Sequence, residues 1–208
     1  MKLISFLRRH PAVPCLLLAA AIFCFWQNNA LCVTRLSFES VRLPAAFDGT
    51  VIVHLSDLHS KSFGKNQDRL VRRVRELCPD YIVFTGDAVD SRRYDIEPVT
   101  SLVSQLCDIA PTFFVTGNHE WRTGRAEALK AWFSAQGVTV LAGDCTLFSK
   151  DGAAIALCGV DDPDVGEQAW AAQLEKASAQ RPEGVVSLLL SHRPERIETY
   201  LSYGFDVI

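Results

Sequence analysis

The sequence has no excess of basic residues, no closely paired cysteines and a single long apolar run. Its 21 Lys and Arg residues are outnumbered by 24 Asp and Glu residues, which gives a net charge of -3. A protein that binds nucleic acid through its phosphate groups needs a basic surface, so this balance argues against that class. The 208 residues, 49% of them hydrophobic, are sufficient for one medium-sized domain with a sizeable core.

None of the seven cysteines belongs to a Cys-x-x-Cys pair. The sequence therefore gives no sign of a zinc knuckle or of a redox motif. Three cysteines lie in or beside the N-terminal apolar run, and we assign no disulfide to the chain. The other four are predicted to be small core residues: Cys78, Cys107, Cys145 and Cys158.

Residues 1–31 differ in composition from the rest of the chain. Lys2, Arg8 and Arg9 precede an apolar run from Ala12 to Trp26. Such a run is short for a bilayer span, which takes about 20 residues, and long for a signal-peptide core. Because a cleavage site is poorly supported, the pattern favours an uncleaved signal anchor over a removed signal peptide or a buried helix. The basic flank predicts that residues 32–208 lie on the far side of the membrane.

A short apolar run from Val51 to Leu55 precedes the first residues that suggest chemistry. The run predicts a buried strand, and Asp57 and His59 follow it. If the extended conformation continues, residues i and i+2 project to the same face, which would form a ligand pair for a divalent metal. Alone, such a pair is more often a turn carboxylate beside a surface histidine. His54 would face the opposite way and is predicted to be structural.

Strands and helices alternate in the centre of the sequence, which predicts parallel strands covered by helices. Apolar runs predict strands at Tyr81–Thr85 and Thr112–Thr116. Helical periodicity predicts helices at 66–77, with Asn66 as a cap, at 96–106 and at 125–136.

The flanking regions give weaker patterns. Alternating apolar residues between Thr34 and Leu43 predict an edge strand. Strands of a second, more antiparallel sheet are predicted at 138–141, 146–148 and 153–159, with turns at 143–144 and 150–152. The acidic loop 161–164 is predicted to cap the helix that follows it, although it could also attract a cation.

Metal-competent side chains follow three of the predicted strands. They are Asp57 and His59, then Asp87, then Asn118 and His119. In open α/β sheets, ligands bind at the carboxyl ends of strands, so loops from neighbouring strands can share one pocket. Each pattern alone is an ordinary turn, but three in order after apolar strands indicate a common metal site.

These motifs resemble those of the calcineurin-like metallophosphoesterases. Asp57-x-His59, Gly86-Asp87 and Gly117-Asn118-His119-Glu120 match the first three family motifs in order. Together with the anchor, they are most similar to a bacterial membrane-associated branch, which includes UDP-2,3-diacylglucosamine hydrolase-like and exported phosphodiesterase-like proteins. The resemblance extends over residues 51–208 and implies an α/β fold, a two-sheet α-β-β-α sandwich preceded by the apolar anchor helix.

The resemblance also implies roles for individual residues. Asp57 and His59 would bind a first metal, Asp87 would bridge two metals, and Asn118 would bind the second. The fourth family motif matches His192, which would be another ligand of the second metal. His119 is implied to contact the scissile phosphate or to assist the leaving group without binding metal. The resemblance also implies two divalent ions, for which the mixed oxygen and nitrogen ligands favour Mn, Fe or Zn over Ca. Separately, four arginines follow the motif loops and are candidates for contact with an anionic substrate, with a solvated surface role as the alternative for each: Arg92, Arg93, Arg122 and Arg125. Of these, Arg92 and Arg122 are the predicted substrate contacts.

The activity implied by the resemblance is metal-dependent phosphoester hydrolysis by a membrane-anchored extracytoplasmic protein. A phosphodiesterase or a pyrophosphatase would fit, with lipid-linked and nucleotide-sugar substrates as candidates. The family has one more motif, Gly-His-x-His, which the sequence does not reach before Ile208. We therefore expect the sequence to be a fragment in which each metal lacks one histidine. The alternative is a non-catalytic membrane-tethered relic or phosphate-binding module.

Overall fold

The computed structural model describes His10 and residues 12–208. Two compact units are present, Met1–Ser37 and Phe38–Ile208. In the first unit, helix α1 (Ala12–Asn29) has no buried side chain. Within the described part of the chain it is the one helix long and apolar enough to cross a membrane, a criterion that signal sequences also meet. The predicted basic flank, Lys2, Arg8 and Arg9, lies outside the described residues.

The second unit contains a four-stranded sheet with the order β1-β2-β3-β4. All three strand pairings are parallel, which confirms the prediction. The strands are β1 (Ile52–Leu55), β2 (Tyr81–Thr85), β3 (Thr112–Val115) and β4 (Thr139–Val140). The helices between them are α2 (Asp68–Glu76), α3 (Glu97–Cys107), α4 (Asn118–Arg122) and α5 (Ala126–Ala135).

A second, three-stranded sheet has the order β5-β6-β7. Its strands are β5 (Asp144–Lys150), β6 (Ala153–Gly159) and β7 (Val186–Leu190). The β5–β6 pair is an antiparallel hairpin, whereas β6 and β7 are parallel. Helix α6 (Glu167–Gln180) precedes β7, and α7 (Ile197–Ser202) follows it. Short 3-10 turns occur at Ala45–Phe47, Lys65–Gln67, Pro163–Val165 and Pro194–Arg196.

Apolar side chains from both sheets form one shared core. Val83 and Phe113 of the first sheet cluster with Phe148 and Leu157 of the second. The ring of Tyr81 stacks on that of Phe148, with centroids 3.8 Å apart. Because side chains alternate along a strand, the neighbouring positions face the helices instead.

Both outer faces of the sandwich are covered by helices. Phe84 and Phe114 of the first sheet pack with Phe133 of α5. On the second sheet, Leu189 clusters with Trp170 of α6. The α-β-β-α sandwich expected from the sequence is therefore confirmed.

The structure corrects the assignment of the cysteines. Cys145 and Cys158 face each other across the β5–β6 pair and form a disulfide, although the sequence analysis assigned none. Cys78 is exposed and is not a core residue. Sequence spacing could not reveal the bond, because the pairing register of the hairpin brings the two residues together.

The predicted edge strand at 34–43 is wrong, and no strand forms over these residues. Leu36 is 93% and Val41 is 106% exposed. Three alternating apolar residues do not make a strand when no sheet edge pairs with them. The 138–141 segment was assigned to the wrong sheet, because β4 pairs in parallel with β3 of the first sheet.

Two predicted helix caps are also wrong. Asn66 has a left-handed backbone (φ 51°) inside a 3-10 turn, and α2 begins after Gln67. In the acidic loop, the side chain of Asp162 accepts a hydrogen bond from the Asp164 backbone and caps the 3-10 turn. Helix α6 instead begins after Gly166.

Candidate metal centre

The first two predicted ligands lie in a loop and not on a strand. β1 ends at Leu55, and both Asp57 (φ 55°) and His59 (φ 49°) adopt left-handed backbone conformations, so the extended geometry expected from the sequence is wrong. Backbone hydrogen bonds hold this loop to the loop after β2, since the Asp57 N–H donates to the Gly86 carbonyl and the His59 N–H to the Asp87 carbonyl. The two side chains still meet, with His59 Nε2 3.5 Å from Asp57 Oδ1.

Asp87 lies at the centre of the cluster. Its Oδ2 atom is 3.4 Å from Nε2 of His192, 3.7 Å from Nε2 of His59 and 4.0 Å from Nε2 of His119. Its Oδ1 atom accepts the backbone N–H of His119 at 2.8 Å. Burial alone would raise the pKa of Asp87, but these hydrogen bonds and histidines lower it below its usual value.

Two glycines allow the loops to approach each other. Gly86 has φ 84°, and a Cβ atom there would collide with the backbone of Gly117. A Cβ atom on Gly117 would collide with the Asp87 carboxylate. Glycine is therefore required at both positions for steric reasons.

His192 follows β7 of the second sheet and reaches the same cluster. Its Nδ1 atom is 2.8 Å from the Thr85 carbonyl, which can only accept, so Nδ1 carries a proton. Nε2 lies 3.3 Å from Asn118 Oδ1 and is the atom that can bind a metal after losing its proton. Metal-binding histidines commonly donate their second N–H to a carbonyl in this way. Burial lowers the pKa of His192, but its hydrogen bonds to Asp87 and Thr85 raise it to about 9.

His119 differs from His192 in its hydrogen bonding. The backbone N–H of Ser91 donates to His119 Nδ1 at 3.0 Å. Nδ1 is thus an acceptor, and the neutral ring carries its proton on Nε2, the atom that faces Asp87. In this tautomer, Nε2 can donate a hydrogen bond but cannot bind a metal. Asp90 Oδ1 also lies 3.7 Å from His119 Nδ1. Neither Ser91 nor Asp90 belongs to a motif that is recognisable in the sequence.

Glu120 is a fully buried carboxylate that connects the loops after β2 and β3. Its Oε2 atom accepts the backbone N–H groups of Asp87 at 2.8 Å and Gly117 at 2.7 Å, and Oε1 accepts that of Val89 at 3.2 Å. Burial raises the pKa of Glu120 to about 7, although the backbone hydrogen bonds oppose this shift. Glu120 belongs to the third motif, but its role could not be predicted from the sequence. Two of its partners are backbone N–H groups of the loop after β2, which is remote in sequence.

The donor atoms suit a divalent metal. Two groups, His59–Asp87–His119 and Asp57–Asp87–His192, each offer ligand atoms within 4.8 Å of one another, and both include Asp87. Among the described residues, Asp57 and Asp87 form ion pairs with histidines only. Carboxylates and imidazoles that converge without Lys or Arg are a suitable set for Mn, Fe or Zn.

The predicted substrate-binding arginines lie in different surroundings. Arg122 Nε is 3.2 Å from Asp164 Oδ2, and Arg92 donates its backbone N–H to Asp90. The cleft beside His59 is lined by Lys61 and Arg93 and also by the carboxylates Asp57, Asp90 and Asp95. Substrate contacts from Arg92 and Arg122 stay predictions.

Comparisons with known proteins agree with this geometry. A family model described as calcineurin-like phosphoesterase matches residues 50–207. A Bos taurus protein named "Transmembrane protein with metallophosphoesterase domain" is 32% identical over 173 residues, which cover 78% of this chain and 39% of that protein. The "Uncharacterized metallophosphoesterase YkuE" of Bacillus subtilis is 29% identical over 176 residues, 82% of this chain and 60% of that protein. The chain thus spans less than two thirds of the length of these relatives.

A solved structure shares the fold. The crystal structure of phosphopantetheinyl hydrolase (PptH) from Mycobacterium tuberculosis superposes with a TM-score of 0.54 at 15% identity, over 74% of each chain. At this identity the likeness shows the fold alone. With a family model that covers most of the sequence, the chain belongs to the calcineurin-like phosphoesterase family.

Proposed function

We propose that this protein hydrolyses phosphoesters with two divalent metal ions held on either side of Asp87. The observation that supports two ions is that Asp87 Oδ2 lies near the Nε2 atoms of two candidate ligands from different loops, His59 at 3.7 Å and His192 at 3.4 Å. Asp57 and His59 would complete one side, and Asn118 and His192 the other. When bound, such a pair of ions activates an attacking water and stabilises charge on the phosphate oxygens.

The chain's own residues divide the remaining work. Asp87 is buried with its carboxylate fixed by the His119 backbone N–H, so it can bridge two cations without reorganising. His119 presents a protonated Nε2 to the same space, and we assign it to hydrogen bonding with the phosphate or proton donation to the leaving group. Donors held in place before the reaction stabilise the developing charge most effectively.

The proposed substrates are phosphodiesters or pyrophosphates, including lipid-linked and nucleotide-sugar compounds. Arg93 in the cleft beside His59 can contact a further anionic group of the substrate, next to the carboxylates of Asp90 and Asp95. The relatives named as metallophosphoesterases favour this enzyme over a non-catalytic relic or a phosphate-binding module.

The proposed location is the outer side of a bacterial cell membrane, with α1 as the anchor. The length and composition of α1 and the name of the bovine relative support the anchor. The Cys145–Cys158 disulfide supports the outer side, because disulfides persist in oxidising compartments and are rare in the cytosol.

The test compares Asp87→Asn with a matched control. Asp151 also has φ 51° but lies in the β5–β6 turn, so Asp151→Asn makes the same chemical change at the same backbone conformation. We expect Asp87→Asn to lower both bound metal, by elemental analysis, and hydrolysis of a chromogenic phosphodiester. Asp151→Asn should change neither. Full metal content and activity in Asp87→Asn would overturn the proposal.

A further inference from the structure

Two carboxylates, Asp161 and Asp162, are completely buried in the loop after β6. A buried charge is costly unless it is paired and hydrogen-bonded, so such residues need specific partners. The partners of the two residues differ, and the partner of Asp162 adjoins a candidate metal ligand.

Asp162 pairs with Arg193, the residue directly after His192. Arg193 Nε lies 2.6 Å from Asp162 Oδ2, and Nη2 lies 3.3 Å from Oδ1. Such a two-point contact fixes the orientation of the guanidinium as well as its position. The residue directly after His192 is therefore held by an ion pair with the fully buried carboxylate of Asp162.

The residue before His192 is held as well. Ser191 donates its hydroxyl hydrogen to the hydroxyl of Tyr200 at 2.6 Å, and that hydroxyl donates to the Arg193 carbonyl at 3.0 Å. Tyr200 is fully buried in α7. Both neighbours of His192 thus have fixed partners, which limits the positions open to its imidazole.

The backbone of Asp162 also reaches the loop that bears Asn118. Its N–H donates to Thr116 Oγ1 at 3.1 Å, and Thr116 donates in turn to Asp161 Oδ1 at 2.7 Å. Thr116 directly follows β3 and precedes Gly117 and Asn118. Asp162 therefore connects the loops of the two side chains proposed to bind the same ion.

We propose that Thr116, Asp162 and Arg193 form a brace that sets the separation of Asn118 and His192. These three are positioning residues, and the inference rests on the proposed function because it assigns them to the second metal. The brace joins the first sheet to the second, which is necessary because Asn118 follows β3 and His192 follows β7. Arg193 Nη2 also lies 3.3 Å from Asp164 Oδ1, so the guanidinium has a second contact with the loop after β6.

The chain offers a matched control in Lys130. Lys130 Nζ lies 3.0 Å from Asp161 Oδ2 and is a mostly buried partner of the other carboxylate. This ion pair is also mostly buried and contacts no residue of the His192 loop, although Asp161 adjoins the brace by accepting the Thr116 hydroxyl. Loss of a buried pair lowers stability in either case, so stability alone cannot identify the brace.

The experiment is calorimetric titration of the chelator-treated full chain with Mn²⁺, together with thermal unfolding. We expect Arg193→Lys, which keeps the charge but not the two-point contact, to weaken one of two Mn²⁺ sites about 10- to 100-fold. Lys130→Gln should lower the unfolding temperature while leaving both affinities unchanged. Should Arg193→Lys fold poorly, the double variant Asp162→Asn/Arg193→Gln removes both buried charges and should show the same selective loss.

The outcomes separate this inference from the proposed function. Unchanged Mn²⁺ affinities in the Arg193 variants, or an equal loss in Lys130→Gln, would overturn the brace. A single Mn²⁺ site in the unsubstituted chain would overturn the two-metal function. In that case the Arg193 variants would have to weaken binding at that one site, or the brace would be overturned as well. No binding in the unsubstituted chain would overturn both.

Discussion

His192 Nε2 lies 3.4 Å from Asp87 Oδ2, and this contact joins the end of β7 in one sheet to the end of β2 in the other. In the metal-free chain the pair acts as an ion pair, since the pKa of His192 is raised to about 9. Metal binding must displace that proton, so this polar contact between the two sheets is maintained either by the proton or by the metal.

The stability of the metal-free chain should fall as the pH rises from about 6.5 to about 9. Below this range His192 is protonated in both the folded and unfolded states, and within it only the folded state keeps the proton. A rise in pKa from 6.5 to about 9 corresponds to at most roughly 3 kcal/mol, which solvent screening of this partly exposed pair reduces. Thermal unfolding with a chelator should show this loss, and His192→Gln should abolish it. His54→Gln is the control. Burial lowers the pKa of His54, so this substitution should leave the loss of stability between pH 6.5 and about 9 in place.

His119→Ala should leave bound metal intact and reduce the rate of hydrolysis. The hydrogen bond from the Ser91 backbone leaves His119 as a donor at Nε2. Loss of one such contact to the transition state typically lowers the rate by about 10²- to 10³-fold. Elemental analysis beside phosphodiester hydrolysis would separate the two effects. A loss of metal as complete as that in Asp87→Asn would show that His119 is a ligand.

Glu120→Gln should destabilise the chain by about 1–3 kcal/mol, because an amide NH₂ group would face backbone N–H donors that now have a carboxylate acceptor. Urea unfolding measures the change. Glu175→Gln, at an exposed position of α6, should be neutral. If both substitutions had the same effect, Glu120 would not be the connection between the two loops.

Removal of the disulfide by Cys145→Ala/Cys158→Ala should lower stability by about 2–4 kcal/mol under oxidising conditions. The disulfide restricts the conformational entropy of the unfolded chain, and the double variant regains that entropy on unfolding. Reductant should lower the stability of the unsubstituted chain to a similar value and leave the double variant unchanged. Cys78→Ser, at an exposed free cysteine, serves as the control. Equal stability with and without reductant would contradict the bond.

A reporter fused after Ile208 should be active only outside the cytoplasm. The reason is the basic flank of Lys2, Arg8 and Arg9 before the apolar helix α1. A phosphatase reporter that works only after export, paired with a fluorescent reporter that folds only in the cytoplasm, measures the orientation. Cytoplasmic activity would contradict the anchor orientation and the extracytoplasmic assignment.

The sequence by itself determined most of the central strands and helices and the class of chemistry. Apolar runs defined β2 and β3, and their alternation with helical segments predicted the parallel sheet. The ordered residues Asp57, Asp87 and Asn118 pointed to a metal site because they follow successive strands. Such features depend on neighbours in the chain, so periodicity and spacing reveal them.

Only the tertiary structure decided which distant groups meet. The pairing of β4 with the first sheet, the disulfide and the contacts of Ser91 and Glu120 all depend on residues that are remote in sequence. The left-handed backbone at Asp57 arises in the same way, since its loop is held by hydrogen bonds to the loop after β2. The physical reason is that a buried polar group must find its partner in three dimensions, and the packing of the two sheets supplies that partner.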